Sequence, residues 1–116
     1  MFCTEESKAI VFEVQDEDDF SEKVINSSVP VIVDFHADWC GPCKMLGPRI
    51  EAIIIGRKGN VKLAKVNVDY ATDLAIDYEV NVVPTILAFK AGEVVGRIEG
   101  AKSDEELDSF VDTLIE

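Results

Sequence analysis

The sequence predicts an α/β domain built on a mixed β-sheet, and three observations carry that prediction. Strand-like β-branched runs alternate with helical patterns through most of the chain, which asks for parallel strands covered by helices on both faces. Near the end, Ala91-Gly92 separates two further strand-like runs, a hairpin signal that adds an antiparallel pair. The length, 116 residues, is one domain's worth, since domains most often run to roughly 100–150 residues. No internal repeat or Pro/Ser-rich linker interrupts it, so residues 1–116 are read as one domain, with 1–8 expected to be a loose N-terminal segment.

Taken in order, Ile10 to Val14 is a short β-branched run and reads as a strand. Asp16-Glu17-Asp18-Asp19 then suits a helix N-terminus, where acids meet the positive end of the helix dipole. Phe20, Val24 and Ile25 give that helix its apolar side. Pro30 through Ala37 is apolar on both faces, as in a central strand of a covered sheet. Cys40-Gly41-Pro42-Cys43 follows at once, with Pro42 well placed for a first helical turn. Met45, Leu46, Ile50, Ile53 and Ile54 continue at helical spacing until Gly56 and Gly59-Asn60, and Pro48 inside this stretch predicts a kink. Val61 to Val68 is the next strand, and Thr72 to Tyr78 a short helix with Leu74, Ala75 and Tyr78 inward. Thr85 to Lys90 and Glu93 to Ile98 are the two hairpin strands. Ser103-Asp104-Glu105-Glu106 is a capping box, Ser103 at the N-cap and Glu106 three residues on. The final helix carries Leu107, Phe110, Val111 and Leu114 as its stripe. The order is β-α-β-α-β-α-β-β-α.

Composition narrows the function. Twenty-three acids against 11 bases give a net charge of −12, the wrong sign for a phosphate backbone, so nucleic acid is not an expected partner. The charge is uneven: residues 5–22 hold eight acids and one base, and residues 99–116 seven acids and one base. The remaining eight acids and nine bases leave the middle at +1, so a nearly neutral central surface is available for contact. No apolar run approaches the roughly 20 residues of a membrane span. The first residues lack the basic and apolar blocks of a secretory signal and the arginines of a transit segment. Three cysteines are too few, and odd in number, for a disulfide scaffold. A structural zinc site needs four ligands, and one C-x-x-C with the single His36 four residues before it does not supply them.

What remains for the lone C-x-x-C is redox chemistry. Residues three apart on a helix share a face, so the two sulfurs reach one another. Cys40 falls at the helix N-terminus, where free N–H groups and the dipole stabilise a thiolate. Cys43 lies a turn deeper and is expected to be the shielded one. That asymmetry makes Cys40 the attacking thiol and Cys43 the resolving one. Cys3, in the N-terminal segment, is expected to be a free thiol without function.

Trp39-Cys40-Gly41-Pro42-Cys43-Lys44, with Val31-Ile32-Val33-Asp34-Phe35 before it and Val83-Pro84-Thr85 and Phe89-Lys90-Ala91-Gly92-Glu93 after it, resembles the thioredoxin family from about Ile10 to Ile115. His36, Leu46-Gly47-Pro48-Arg49 and Asp73-Leu74-Ala75-Ile76-Asp77-Tyr78 most resemble its mitochondrial members. The resemblance implies the thioredoxin fold, a five-stranded mixed sheet flanked by four helices, and a cis bond before Pro84, where sequence alone reads an ordinary strand-edge proline. It implies that Val83 pairs with an extended substrate segment, with Trp39, Gly41, Pro42 and Gly100 completing an apolar contact patch. It places Asp34, an acid in an apolar strand, beneath Cys43 as the group that helps deprotonate it, with Lys65 as neighbour; burial raises a carboxyl's pKa. His36 stands where many thioredoxins have a tryptophan, and is read as a partly buried ring.

The function expected is therefore protein-disulfide reduction by dithiol–disulfide exchange. No bound cofactor is needed, because the Cys40–Cys43 dithiol carries the two electrons. A flavin-containing, NADPH-dependent thioredoxin reductase is implied as the partner that restores it, and disulfide-bearing proteins such as peroxiredoxins as substrates; the chain is expected to act as a monomer. Two rivals stand beside this: an oxidase or isomerase of the same fold, against which Gly41-Pro42 argues, and a redox-gated binding module that never turns over. The expected location is the mitochondrial matrix, with a basic transit segment preceding Met1 in the full gene product; a cytoplasmic chain is the alternative.

Overall fold

The computed structural model describes residues 9–115; Cys3 and the N-terminal segment 1–8, on which two expectations fall, lie outside them. Five strands, β1 (Val11–Glu13), β2 (Val31–His36), β3 (Lys62–Asn67), β4 (Thr85–Lys90) and β5 (Glu93–Glu99), form one sheet in the order β1-β3-β2-β4-β5. The helices that flank it are α1 (Glu17–Phe20), which runs on as a π-helical turn (Ser21–Ile25), α2 (Gly41–Ile55), α3 (Thr72–Asp77) and α4 (Asp104–Ile115).

Alternation along β2 sorts the two cores. Val31, Val33 and Phe35 face one side and pack with Phe20, Val24, Leu74, Leu87 and Phe89 under α1 and α3. Ile32 faces the other and packs with Leu46, Ile50, Ile54, Ile86, Leu107 and Val111 under α2 and α4. Asp34 and His36 continue the Ile32 face, so the two polar residues of this strand emerge beside α2.

The parallel expectation holds for β1–β3 and β2–β3 but not for β4, which runs antiparallel to β2. The length of α3 explains the difference. Six helical residues span about 9 Å, whereas a six-residue strand spans about 20 Å. The helix does not carry the chain back to the start of the sheet, so β4 re-enters from the end at which β3 leaves. That end is where β2 delivers the chain to the cysteines, and Thr85 pairs there with Phe35.

Local chemistry sets the remaining ends. Asp16 caps α1 by accepting from the Asp19 amide at 2.8 Å. Ser103 and Glu106 form the capping box of α4: the Glu106 amide donates to Ser103 Oγ at 3.2 Å, and Glu106 Oε1 accepts from the Ser103 amide at 3.4 Å. Ala91 and Gly92 make the hairpin turn with φ of 53° and 80°, the left-handed pair that a two-residue turn between twisted strands requires. The first strand is shorter than expected, and Pro48 sits inside α2 without ending it.

Candidate active site

Cys40 is the N-cap of α2, its backbone extended and its Sγ accepting from the Cys43 amide at 3.1 Å. Pro42 in the first turn has no N–H to leave unpaired. Cys40 and Cys43 are joined as a disulfide, their Cα atoms 5.3 Å apart, within the usual range. With Ala37 they form a small apolar cluster against Val68 and Val83.

Exposure does not separate the two sulfurs as the sequence suggested: Cys40 is 4% and Cys43 6% exposed. What separates them is hydrogen bonding. Only Cys40 Sγ receives a helix N–H, and only Cys40 Sγ lies 3.8 Å from the Val83 carbonyl oxygen. Cys43 is shielded as expected, but the Val83–Pro84 segment folds over Cys40 and buries it as well, which chain order near the cysteines does not reveal. Cys40 does occupy the N-cap, where a helix amide reaches its sulfur.

The peptide bond between Val83 and Pro84 is cis, and the Pro84 carbonyl accepts from the Gly100 amide at 2.9 Å. Thr85 Oγ1 donates to the Val82 carbonyl at 2.7 Å, tightening the same turn. Gly100 holds φ +83°, a conformation open to glycine and strained for most residues. Trp39, Gly41 and Pro42 are exposed around the disulfide, Trp39 to 70%. Two features were missed in the sequence. Asp69 accepts the Trp39 indole N–H at 3.0 Å. Arg97 on β5 donates to the Tyr78 and Glu79 carbonyls at 2.8 and 2.7 Å, clamping the turn that leads to Val83. Neither has a local sequence signal, because partner and donor lie 18 to 30 residues apart; the only hint is a charged Arg97 inside an otherwise apolar stretch.

Asp34 is 2% exposed, and its Oδ1 has no hydrogen-bond partner. It is no acid on a solvated face. Burial pushes its carboxyl from 3.8 up to about 6, against the opposing charges of His36 and Lys65. Lys65 is registered opposite Asp34 on β3, but its ammonium bonds Glu51 of α2 at 2.9 Å. Burial works against that ammonium, and Glu51, Glu13 and Asp34 together outweigh it, so its pKa is raised. The expected Asp34–Lys65 neighbourhood thus holds in register while the direct ion pair belongs to Glu51. A cleft of about 260 Å³ beside α2 brings Asp34, His36, Cys43, Glu51 and Lys65 together. Among the described residues no group of three or more His, Cys, Asp or Glu side chains is arranged to hold a metal ion.

A disulfide at a helix N-terminus, faced by a cis-proline turn on an α/β sheet, defines a thiol–disulfide oxidoreductase whose redox carrier is its own cysteine pair. The chain belongs to the thioredoxin family: the family model described as Thioredoxin matches residues 11–113. It is 55% identical to "Probable thioredoxin-2" of Caenorhabditis elegans over 92% of this chain and 74% of that protein. It is 51% identical to "Thioredoxin, mitochondrial" of Rattus norvegicus over 98% of this chain and 69% of that protein. Among solved structures it is similar to a single-site mutant of the thioredoxin from Halobacterium salinarum NRC-1, with a TM-score of 0.82 and 32% identity over 93% of both chains. Family members act on disulfide substrates and are restored by thioredoxin reductase, and this chain is a dithiol–disulfide exchanger of that kind.

Proposed function

We propose that this protein reduces protein disulfides in the mitochondrial matrix, with Cys40 attacking and Cys43 resolving. The observation that supports the roles is the single helix N–H directed at Cys40 Sγ, which favours the thiolate there. The Cys40 thiolate attacks one sulfur of the target disulfide; that bond breaks, a mixed disulfide forms, and the released target sulfur takes a proton. Asp34, entering as the carboxylate, accepts the Cys43 proton through the shared cleft. The Cys43 thiolate then attacks Cys40 Sγ, the second target sulfur leaves and is protonated, and the intramolecular disulfide remains. Two electrons have passed to the target. NADPH, through a flavin-containing reductase, returns them.

The substrate lies in extended form along Val83 and Pro84, its side chains against Trp39, Gly41, Pro42 and Gly100. The near-neutral middle of the sequence suits such a contact, and peroxiredoxins are the class of target proposed. The matrix assignment rests on the names of relatives such as the rat protein; recovery of the endogenous protein in a cytosolic fraction overturns it.

The roles are tested with single serine variants in reductase-coupled reduction of insulin. Cys40→Ser is expected to lose both turnover and mixed-disulfide formation. Cys43→Ser loses turnover and accumulates the mixed disulfide. A Cys43→Ser protein that traps nothing reverses or removes the assignment. Wild type that binds partners without turnover identifies a binding module instead.

A further inference from the structure

One face of the sheet carries a line of charge of which the exchange mechanism uses only Asp34. Glu13 on β1, Lys65 on β3 and Asp34 on β2 are in register across three parallel strands, so their side chains leave the same face. His36 follows Asp34 by two and shares that face. Glu51 reaches down from α2 to Lys65 at 2.9 Å. Lys44 of α2 and Asp38 of the loop between β2 and α2 line the same cleft.

The charges in this group do not balance around Asp34. The Lys65 ammonium is engaged by Glu51, and the carboxylates of Glu13 and Asp34 are left beside it. Two buried polar atoms have no hydrogen-bond partner here, Asp34 Oδ1 and His36 Nε2. His36 Nε2 stands 3.8 Å from Glu13 Oε2, in ion contact just beyond hydrogen-bond reach, with the ring 17% exposed. A buried ring nitrogen facing a carboxylate without a hydrogen bond is poorly served when neutral and well served when protonated.

We propose that His36 is a positioning residue for Asp34: its imidazolium, held against Glu13, supplies the second cation of the row and thereby sets whether the Asp34 carboxyl is ionised. Two directions support this geometry. The His36 pKa is raised, first by Glu13 and also by Asp34, against a lowering by burial and by Lys65. In return, His36 is the strongest of the groups that oppose the upward push of burial on Asp34. A proton bound at His36 makes it easier for Asp34 to give one up, so each charge favours the other.

The consequence for turnover rests on the reading that Asp34 takes the Cys43 proton, and the test separates the two. The Asp34 carboxyl carbon is followed by NMR against pH in oxidised wild type, His36→Gln and His36→Lys, alongside the rate of mixed-disulfide release in the reduced proteins. Loss of the cation in His36→Gln is expected to move the Asp34 titration upward by about half a pH unit to one unit. At pH 6 that corresponds to roughly two- to fivefold slower release, converging with wild type at high pH, where His36 is neutral. His36→Lys, a permanent cation of different shape, is expected to bring the titration back to or below the wild-type position. An Asp34 titration unmoved by His36→Gln, or moved equally by His36→Lys, overturns the proposal, since packing alone then accounts for it. A titration that moves while release does not supports the His36–Asp34 link and sinks the role of Asp34 toward Cys43.

Discussion

Replacing Asp34 by asparagine tests whether the buried carboxyl is held at a cost in stability. With a folded pKa near 6 against an ordinary 3.8, the carboxyl is neutral in both folded and unfolded chains below pH 3.8, and no penalty exists there. As pH rises from 3.8 to about 6, the unfolded chain ionises while the folded one stays protonated, and stability is lost. Above about 6 both are ionised and the loss is constant. The difference of about 2.2 pH units, at about 1.36 kcal/mol each, gives about 3 kcal/mol. An asparagine is neutral throughout, and the fixed cost of its own buried amide cancels when two pH values are compared. The expected result is that Asp34→Asn gains about 3 kcal/mol relative to wild type between pH 3.5 and pH 7.5. The assay is guanidinium unfolding of the oxidised proteins at both values. In thermal terms the gain is on the order of 10 °C. A variant whose stability relative to wild type is the same at both pH values refutes the reasoning, because the carboxyl would then ionise as freely folded as unfolded.

Two further substitutions probe the contact surface. Arg97→Met removes both hydrogen bonds to the Tyr78 and Glu79 carbonyls and is expected to destabilise by about 1 kcal/mol. It should also raise KM for a protein disulfide more than it lowers kcat, as the Val83–Pro84 turn loses its clamp; steady-state reduction of insulin reads the split, and an unchanged KM counts against it. Asp69→Ala frees the Trp39 indole N–H. Because that pair is exposed, stability is expected to change by less than about 1 kcal/mol, while kcat/KM toward protein disulfides falls several-fold; equal kcat/KM shows that the tether has no part in docking.

The legible parts of the fold are those dictated by neighbours in sequence. Ser103 and Glu106 announce the start of α4, Ala91-Gly92 the hairpin, and Cys40-Gly41-Pro42 the start of α2, because capping and turn geometry involve only a few consecutive residues. The apolar run 31–35 marks a buried strand whichever strands lie beside it. What is illegible comes from distance. The direction of β4 depends on how far α3 reaches, which periodicity does not state. The π-helical turn at Ser21–Ile25 has the same apolar spacing as an ordinary helix. The burial of Cys40 is caused by Val83, and the partner of Lys65 is decided by Glu51 on a helix that crosses above it. At the site, residue identity and spacing disclosed the sulfurs, and the family resemblance pointed to the buried acid; the groups around them had to be seen in place.

Trp39 is the sole tryptophan of the chain, directly precedes Cys40 and is anchored to Asp69. All tryptophan emission therefore comes from one ring adjacent in sequence to the redox pair. A disulfide accepts an electron from an excited indole and quenches it, whereas a dithiol is a far poorer acceptor. The brightness of this ring is therefore expected to follow the oxidation state of the pair. Emission followed across a series of glutathione buffers gives a two-electron titration curve with no dye, no label and no second chromophore to subtract, and its midpoint is the potential at which this protein trades electrons.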